Sequence, residues 1–112
     1  MDELEKNEKL ASLYAYYGEL LTKGQQNYFE DYYYNDLSLG EIAENHEVSR
    51  QAVYDNLKRS TKALKKYEDT LHFQKEYKEM GELVSQISVD LNNDKKKQAK
   101  EKLEKLLQKI GE

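Results

Sequence analysis

With 112 residues, 36% of them charged and 38% hydrophobic, a mass of 13.3 kDa and a mean hydropathy of −1.06, the chain suits one domain, or a small domain with an extension, whose core is small and efficiently patterned. It has no proline and is rich in Glu, Lys, Leu and Gln, residues that lose little freedom in a helix; its ten tyrosines and two phenylalanines argue against disorder. The net charge is −4 and cysteine is absent, which excludes disulfide scaffolds, thiolate catalysis and cysteine zinc sites; no apolar run approaches the ~18 residues of a membrane span, and the acidic start Met1-Asp2-Glu3-Leu4-Glu5 is unlike a signal peptide, so the cytoplasm is the expected compartment.

The first predicted helix spans about 3–21, with Leu10, Leu13, Tyr14, Tyr17, Leu20 and Leu21 on one stripe and Gly18 weakening its last turn. Thr22 with Gln25 forms a capping box for a second helix, about 23–34. That helix carries Tyr28, Phe29, Tyr32, Tyr33 and Tyr34, and three successive tyrosines cannot all face inward, so at least one ring lies on the surface. Core and helix packing is the commoner use of such a stripe, base stacking the rarer one. Asn35-Asp36 breaks the pattern, and Ser38 with Glu41 caps a short helix 39–45 whose inner face is Leu39, Ile42 and Ala43.

Ser49 then caps a long helix from Arg50, with Val53, Leu57, Leu64 and Leu71 on its apolar line and Ser60 and Tyr67 between them. A further line runs through Phe73, Tyr77, Met80, Val84, Ile87 and Leu91 in alternating steps of four and three, a seam suited to antiparallel packing or dimerisation; Gly81 inside it marks an expected kink. Asn92-Asn93-Asp94 stops that helix, and Asp94 is the expected cap of a last one, about 95–110, with Ala99, Leu103, Leu106, Leu107 and Ile110 on one side and lysines on the other. No strand signal appears, so the expected fold is all-α, with an N-terminal part over 1–70 and a C-terminal helical extension over 71–112.

The net charge hides a sharp division. Residues 1–48 carry eleven acids and three bases, residues 49–66 six bases (Arg50, Lys58, Arg59, Lys62, Lys65, Lys66) against Asp55 alone, and residues 67–112 ten acids and nine bases. A basic segment between acidic and balanced ones points to an anionic partner; a solvated helix face is the plainer alternative. The lysines of 95–109 read mainly as such a face, with glutamates opposed.

Residues 38–66 carry the most information. A short helix with a small residue at the crossing (Ala43), an apolar plug in the turn (Val48), a cap (Ser49) and an inward pair four apart (Val53 and Leu57) make up a helix-turn-helix. This arrangement turns Arg50, Gln51, Tyr54, Asp55 and Lys58 away from the core, where a major groove would lie. Arg and Gln make bidentate contacts to guanine and adenine edges, and Tyr54 is the aromatic expected to stack on a base or bond a phosphate. Arg59, Lys62, Lys65 and Lys66 are placed to neutralise phosphates. The candidate nucleic-acid-binding set is therefore Ser49, Arg50, Gln51, Tyr54, Lys58, Arg59 and Lys62. Two features count against it: Asp55 would repel phosphate, and Glu47 occupies a turn position that favours glycine because the backbone there prefers φ > 0.

Residues 37–66 resemble region 4 of bacterial sigma factors, through Glu41-Ile42-Ala43, Val48-Ser49, Val53 and Leu57-Lys58-Arg59. Over nearly its whole length the chain resembles the YlxM family, through Leu-Tyr-x-Tyr-Tyr-x-x-Leu-Leu at 13–21, the Tyr-rich stretch 28–34, Leu-Ser-Leu-Gly-Glu-Ile-Ala-Glu at 37–44 and Ser49-Arg50-Gln51-Ala52-Val53-Tyr54-Asp55. The resemblance implies an all-helical, sigma region 4-like helix-turn-helix of the winged-helix-like DNA-binding type without a wing. It also implies a gene beside that of the signal recognition particle GTPase, a regulatory part in that pathway, and no catalytic residues. The Lys-rich C-terminal helix matches the family least distinctively.

Two functions follow as expectations. One is an accessory protein of co-translational targeting that contacts the particle's RNA, its GTPase or both. The other is a sequence-specific DNA-binding regulator that dimerises through 73–91, because one small helix-turn-helix buries too little surface to select among genomic sites. A helix-turn-helix that binds only protein would suit Asp55 and the acidic first half. The length excludes a complete sigma factor. No phosphate loop or nucleophile elbow is present, and His46 and His72 lie far apart with no metal-binding spacing, so no enzyme, metal or cofactor is expected. His46 reads as a hydrogen-bonding surface residue.

Overall fold

The computed structural model describes residues 8–111, and every regular element among them is helical. Helix α1 spans Glu8–Tyr17 and buries Leu10, Leu13 and Tyr17; residues 3–7 of the predicted first helix lie outside the described residues. The chain then tightens into a 3-10 turn, Gly18–Leu20. Gly18 is needed there sterically, since a Cβ would sit 2.9 Å from the Tyr14 ring. That ring is stacked on Phe29, with centroids 4.4 Å apart and planes 7° from parallel, so it has little room to move aside.

Helix α2, Lys23–Phe29, starts at the predicted capping box, in which Thr22 accepts from the Gln25 N–H and the Gln25 side chain accepts from the Thr22 N–H. The predicted continuation to 34 is a π turn, Glu30–Tyr34, closed by the Asn35 N–H on the Glu30 carbonyl at 2.9 Å. A wider turn spaces successive side chains more narrowly than an α-turn does. Tyr32 is buried and Tyr33 half-buried, while Tyr34 faces out and donates its hydroxyl to the Ala11 carbonyl. Asp36, at φ 54°, ends the segment.

Helix α3 spans Leu39–His46 and α4 spans Arg50–Leu71. Helices α1, α2 and α3 all pack on α4, forming two clusters along it. Near its start, Tyr32, Leu39, Ile42, Ala43, Val53, Tyr54 and Leu57 come together; further along, Leu10, Leu13, Tyr17, Leu21, Phe29 and Leu64 do so. Tyr33 packs against both. Two buried hydroxyls on α4 return their hydrogen bonds to its own backbone, Ser60 to the Asn56 carbonyl and Thr61 to the Lys58 carbonyl. Leu71, expected on the apolar line, is exposed, because the stripe against α1 ends at Tyr67 and at the Tyr17 hydroxyl donating to Glu68 at 2.6 Å. His72 closes α4 in the left-handed conformation, φ 59°.

A second unit begins at Phe73. It is a hairpin of α5, Phe73–Asn92, and α6, Lys96–Ile110. The kink expected at Gly81 is absent, and α5 runs unbroken through it. Asp94 is not the cap of α6. It adopts φ 57°, whereas a capping side chain needs an extended backbone; Lys95 takes the cap position with no side-chain bond, and its N–H closes the turn on the Asp90 carbonyl at 2.8 Å. Two of the lysines read as solvated turn toward α5 instead: Lys102 pairs with the buried Asp90 at 2.6 Å and Lys109 with Glu79 at 2.7 Å. The bond to Lys109 holds the Glu79 carboxyl below its ordinary range.

Candidate nucleic-acid interface

The helix-turn-helix is built by three local devices. Ser38 and Glu41 form a reciprocal capping box that fixes the start of α3, with bonds of 3.0 and 3.1 Å. Glu47 sits at φ 55°, ψ 43°, the left-handed conformation expected of that turn position even though the residue is not glycine. Ser49, extended at φ −75°, ψ 154°, accepts the Ala52 N–H at 3.0 Å and starts α4. The Val48 N–H donates to the Ala43 carbonyl at 3.0 Å, which reverses the chain tightly between the two helices.

Val48 is not the expected plug. Its side chain is 39% exposed, and the corner is filled by aromatic rings, Tyr32 and Tyr54, which join Leu39, Ile42, Ala43, Val53 and Leu57. The inward pair Val53 and Leu57 does pack in one cluster with Ile42 and Ala43. His46, in the last turn of α3, lies edge-on to Tyr28 at 4.7 Å and bonds Asp31 at 3.3 Å, tying α3 to the π turn. Among the described residues no three His, Asp or Glu side chains gather as a metal site.

Tyr54 requires a correction. It is only 9% exposed, a core residue rather than an outward stacking ring. At 3.6 residues per turn it falls on the flank of the buried arc, in line with Leu57, Thr61 and Leu64 in steps of three and four. That spacing was present in the sequence beside the Val53 line. Only its hydroxyl reaches the surface region, where the Lys58 ammonium donates to it at 3.4 Å and lies 5.6 Å from the ring centroid. The Tyr54 ring is thus core, with Lys58 as a loose polar neighbour at its hydroxyl.

The other predicted residues are exposed: Ser49, Arg50, Gln51, Lys58, Arg59 and Lys62, with Lys65 and Lys66 beyond them. Residues 51, 55, 58, 59, 62, 65 and 66 fall within an arc of about 120° opposite the core. The Ser49 hydroxyl oxygen accepts the Ala52 N–H, which orients the helix start and leaves its O–H available as a donor. Asp55 accepts from the Gln51 amide at 2.9 Å, an i, i+4 pair legible in the sequence that holds Gln51 back along the helix. Arg50, the first residue of α4, is exposed beside it. The surface that results is a band of five cations with a short polar tip, a charge pattern suited to a phosphate backbone more than to many base edges.

The chain is matched over residues 4–106 by the UPF0122 family model, described as "Putative helix-turn-helix protein, YlxM / p13 like". It is 46% identical over 104 residues to a UPF0122 protein of Listeria monocytogenes serotype 4b, covering 91% of this chain and 94% of the relative. It is 44% identical over 108 residues to one of Bacillus mycoides, covering 92% and 98%, and 51% identical over 85 residues to one of Limosilactobacillus reuteri, covering 76% and 75%. The matched span contains the capped α3, the turn at Glu47 and all of α4, and the chain belongs to the UPF0122 family of YlxM/p13-like helix-turn-helix proteins.

Proposed function

We propose that the chain is a non-enzymatic regulatory protein of the cytoplasm that binds structured RNA along α4 and takes part in the signal recognition particle pathway, with the particle's RNA as its ligand and its GTPase as a protein partner. The observation that carries the nucleic-acid part is the exposed band of Lys58, Arg59, Lys62, Lys65 and Lys66 on one side of α4, opposite a closed core. The band is rich in cations that suit phosphates and poor in groups that suit base edges, since Tyr54 is buried and Gln51 is bonded to Asp55. Structured RNA is recognised largely through shape, phosphates and 2′-hydroxyls. The pathway is supported by the resemblance to the YlxM family, which implies a gene beside that of the particle's GTPase.

A second reading, a sequence-specific DNA regulator acting as a dimer, is favoured by the exposed Arg50 at the start of the second helix, where such helices meet base edges. Filter binding with the particle's RNA, an unrelated structured RNA and duplex DNA, each across a salt series, separates the two. Selective binding of the first RNA, with Lys62→Ala lowering the salt slope by about one, supports the proposal. Preference for one duplex sequence, relaxed in Arg50→Ala at a cost of about 1–3 kcal/mol, supports the second. No binding to any of the three, with capture of the GTPase, overturns both in favour of a helix-turn-helix that binds only protein.

A further inference from the structure

The α5–α6 hairpin leaves most of its apolar side chains outside its own interface. Only Ala99 is a buried apolar residue in it; Val84, Leu91, Leu107 and Ile110 are each more than half exposed, and Leu103 nearly so. These residues are not scattered. On α5 the line against α6 runs through Leu83, Ile87 and Asp90, and Val84 and Leu91 lie about a quarter turn from it, in one row with Phe73 and Tyr77. On α6 the line against α5 runs through Ala99, Lys102 and Leu106, and Leu103, Leu107 and Ile110 lie about a quarter turn away in the same rotational sense. Because the helices of a hairpin are antiparallel, equal rotations bring both rows to one side. The hairpin therefore carries a continuous apolar face whose α5 row has no charge, in a chain where 36% of residues are charged.

We infer that this face binds a second copy of the chain, pairing two hairpins across a two-fold axis as an intermolecular four-helix bundle. Two observations select a second copy. The first is area: two aromatic rings of about 150–250 Å² each and five smaller aliphatic side chains, all about half exposed, present on the order of 600 Å² per copy, approaching the ~800 Å² per partner of a stable complex. That is the top of the size range, about 300–600 Å², of the largest patch on a typical monomer. The second is charge: α5 carries four acids and two bases, and α6 six bases and two acids. Two-fold pairing that lays α5 of one copy against α6 of the other brings opposite signs together, as Lys102–Asp90 and Lys109–Glu79 already do within one hairpin. A self-complementary face closes at two copies and leaves no open end.

Sedimentation equilibrium of the full chain at micromolar concentration tests this directly, and its readout is mass, so it stands or falls independently of what α4 binds. The expected mass is twice 13.3 kDa. Val84→Glu with Leu107→Glu should give a monomer with the far-UV ellipticity of the helical chain. The milder pair Val84→Ala with Leu107→Ala should weaken dimerisation at least about tenfold while leaving the helices intact. Val89→Glu, exposed on the other side of α5, should leave the dimer unchanged. A monomeric wild type, a dimer that survives both double variants, or a dimer broken equally by Val89→Glu overturns the inference.

Discussion

Replacing Tyr54 separates a core residue from a reading residue. The ring is 9% exposed and packs with Tyr32, Leu39, Ile42, Ala43, Val53 and Leu57, so Tyr54→Ala deletes a buried aromatic. Truncations of that kind cost about 3–5 kcal/mol, a fifth or more of the ~5–15 kcal/mol that holds a domain folded. For a unit of this size the thermal midpoint should fall on the order of 15–30 °C. Tyr54→Phe keeps the ring and removes only the 3.4 Å contact with the exposed Lys58 ammonium, which is worth about 0.5 kcal/mol or less; its midpoint and its RNA affinity should match wild type within about twofold. Thermal unfolding by circular dichroism, together with filter binding below each midpoint, reads both quantities. If Tyr54→Ala melts at the wild-type temperature while losing affinity, the ring reads nucleic acid and its assignment to the core is wrong.

Other predictions rest on single backbone and side-chain features. Glu47→Gly relieves a non-glycine residue at φ 55°; the left-handed region costs about 1–2 kcal/mol, of which glycine's unfolded entropy returns about 0.5–1, so urea unfolding should show a gain of about 0.5–1 kcal/mol, and a loss would contradict the turn geometry. Gly18→Ala places a Cβ 2.9 Å from the Tyr14 ring, which is stacked on Phe29, and should destabilise by about 1–3 kcal/mol in the same assay, although alanine is the better helix former. Burial, and then the hydrogen bond to Glu30, hold the Tyr14 hydroxyl proton well above its ordinary value of 10.0. A raised folded pKa contributes stability that is complete below that value and is lost as pH rises past it. Alkaline unfolding should therefore steepen above about pH 10, and Tyr14→Phe should flatten that limb; an unchanged limb would refute the coupling.

Much of this fold is written in short-range chemistry. Thr22 with Gln25, Ser38 with Glu41, and Ser49 three residues before Ala52 are caps whose partners lie within one turn, so their geometry follows from local sequence alone. The left-handed Glu47 is legible for the same reason. Features that depend on what packs against a helix were not legible. Residues 30–34 widen into a π turn where Tyr32 joins one cluster on α4 and Tyr33 packs against both, and local propensity does not encode that. Lys102 and Lys109 look like solvent lysines until α5 lies beside them with Asp90 and Glu79. Val48 is exposed, while the cluster between α3 and α4 takes in two tyrosine rings, Tyr32 and Tyr54.

The misplacement of Tyr54 has a structural cause that also defines the interface. A helix packed by one neighbour buries a narrow stripe, and the Val53–Leu57–Ser60–Leu64 line alone would suffice for it. Helix α4 is packed by α1, α2 and α3, so its buried arc must widen until Tyr54 and Thr61 are included. A wider buried arc leaves a narrower solvent arc, and on α4 that remaining arc holds Lys58, Arg59, Lys62, Lys65 and Lys66. The packing that buries the aromatic ring therefore leaves the solvent face of α4 to the cations. Under the proposed function, a basic band of that kind would follow a phosphate backbone better than it would discriminate bases, so the salt dependence of binding is the measurement that tests it most directly.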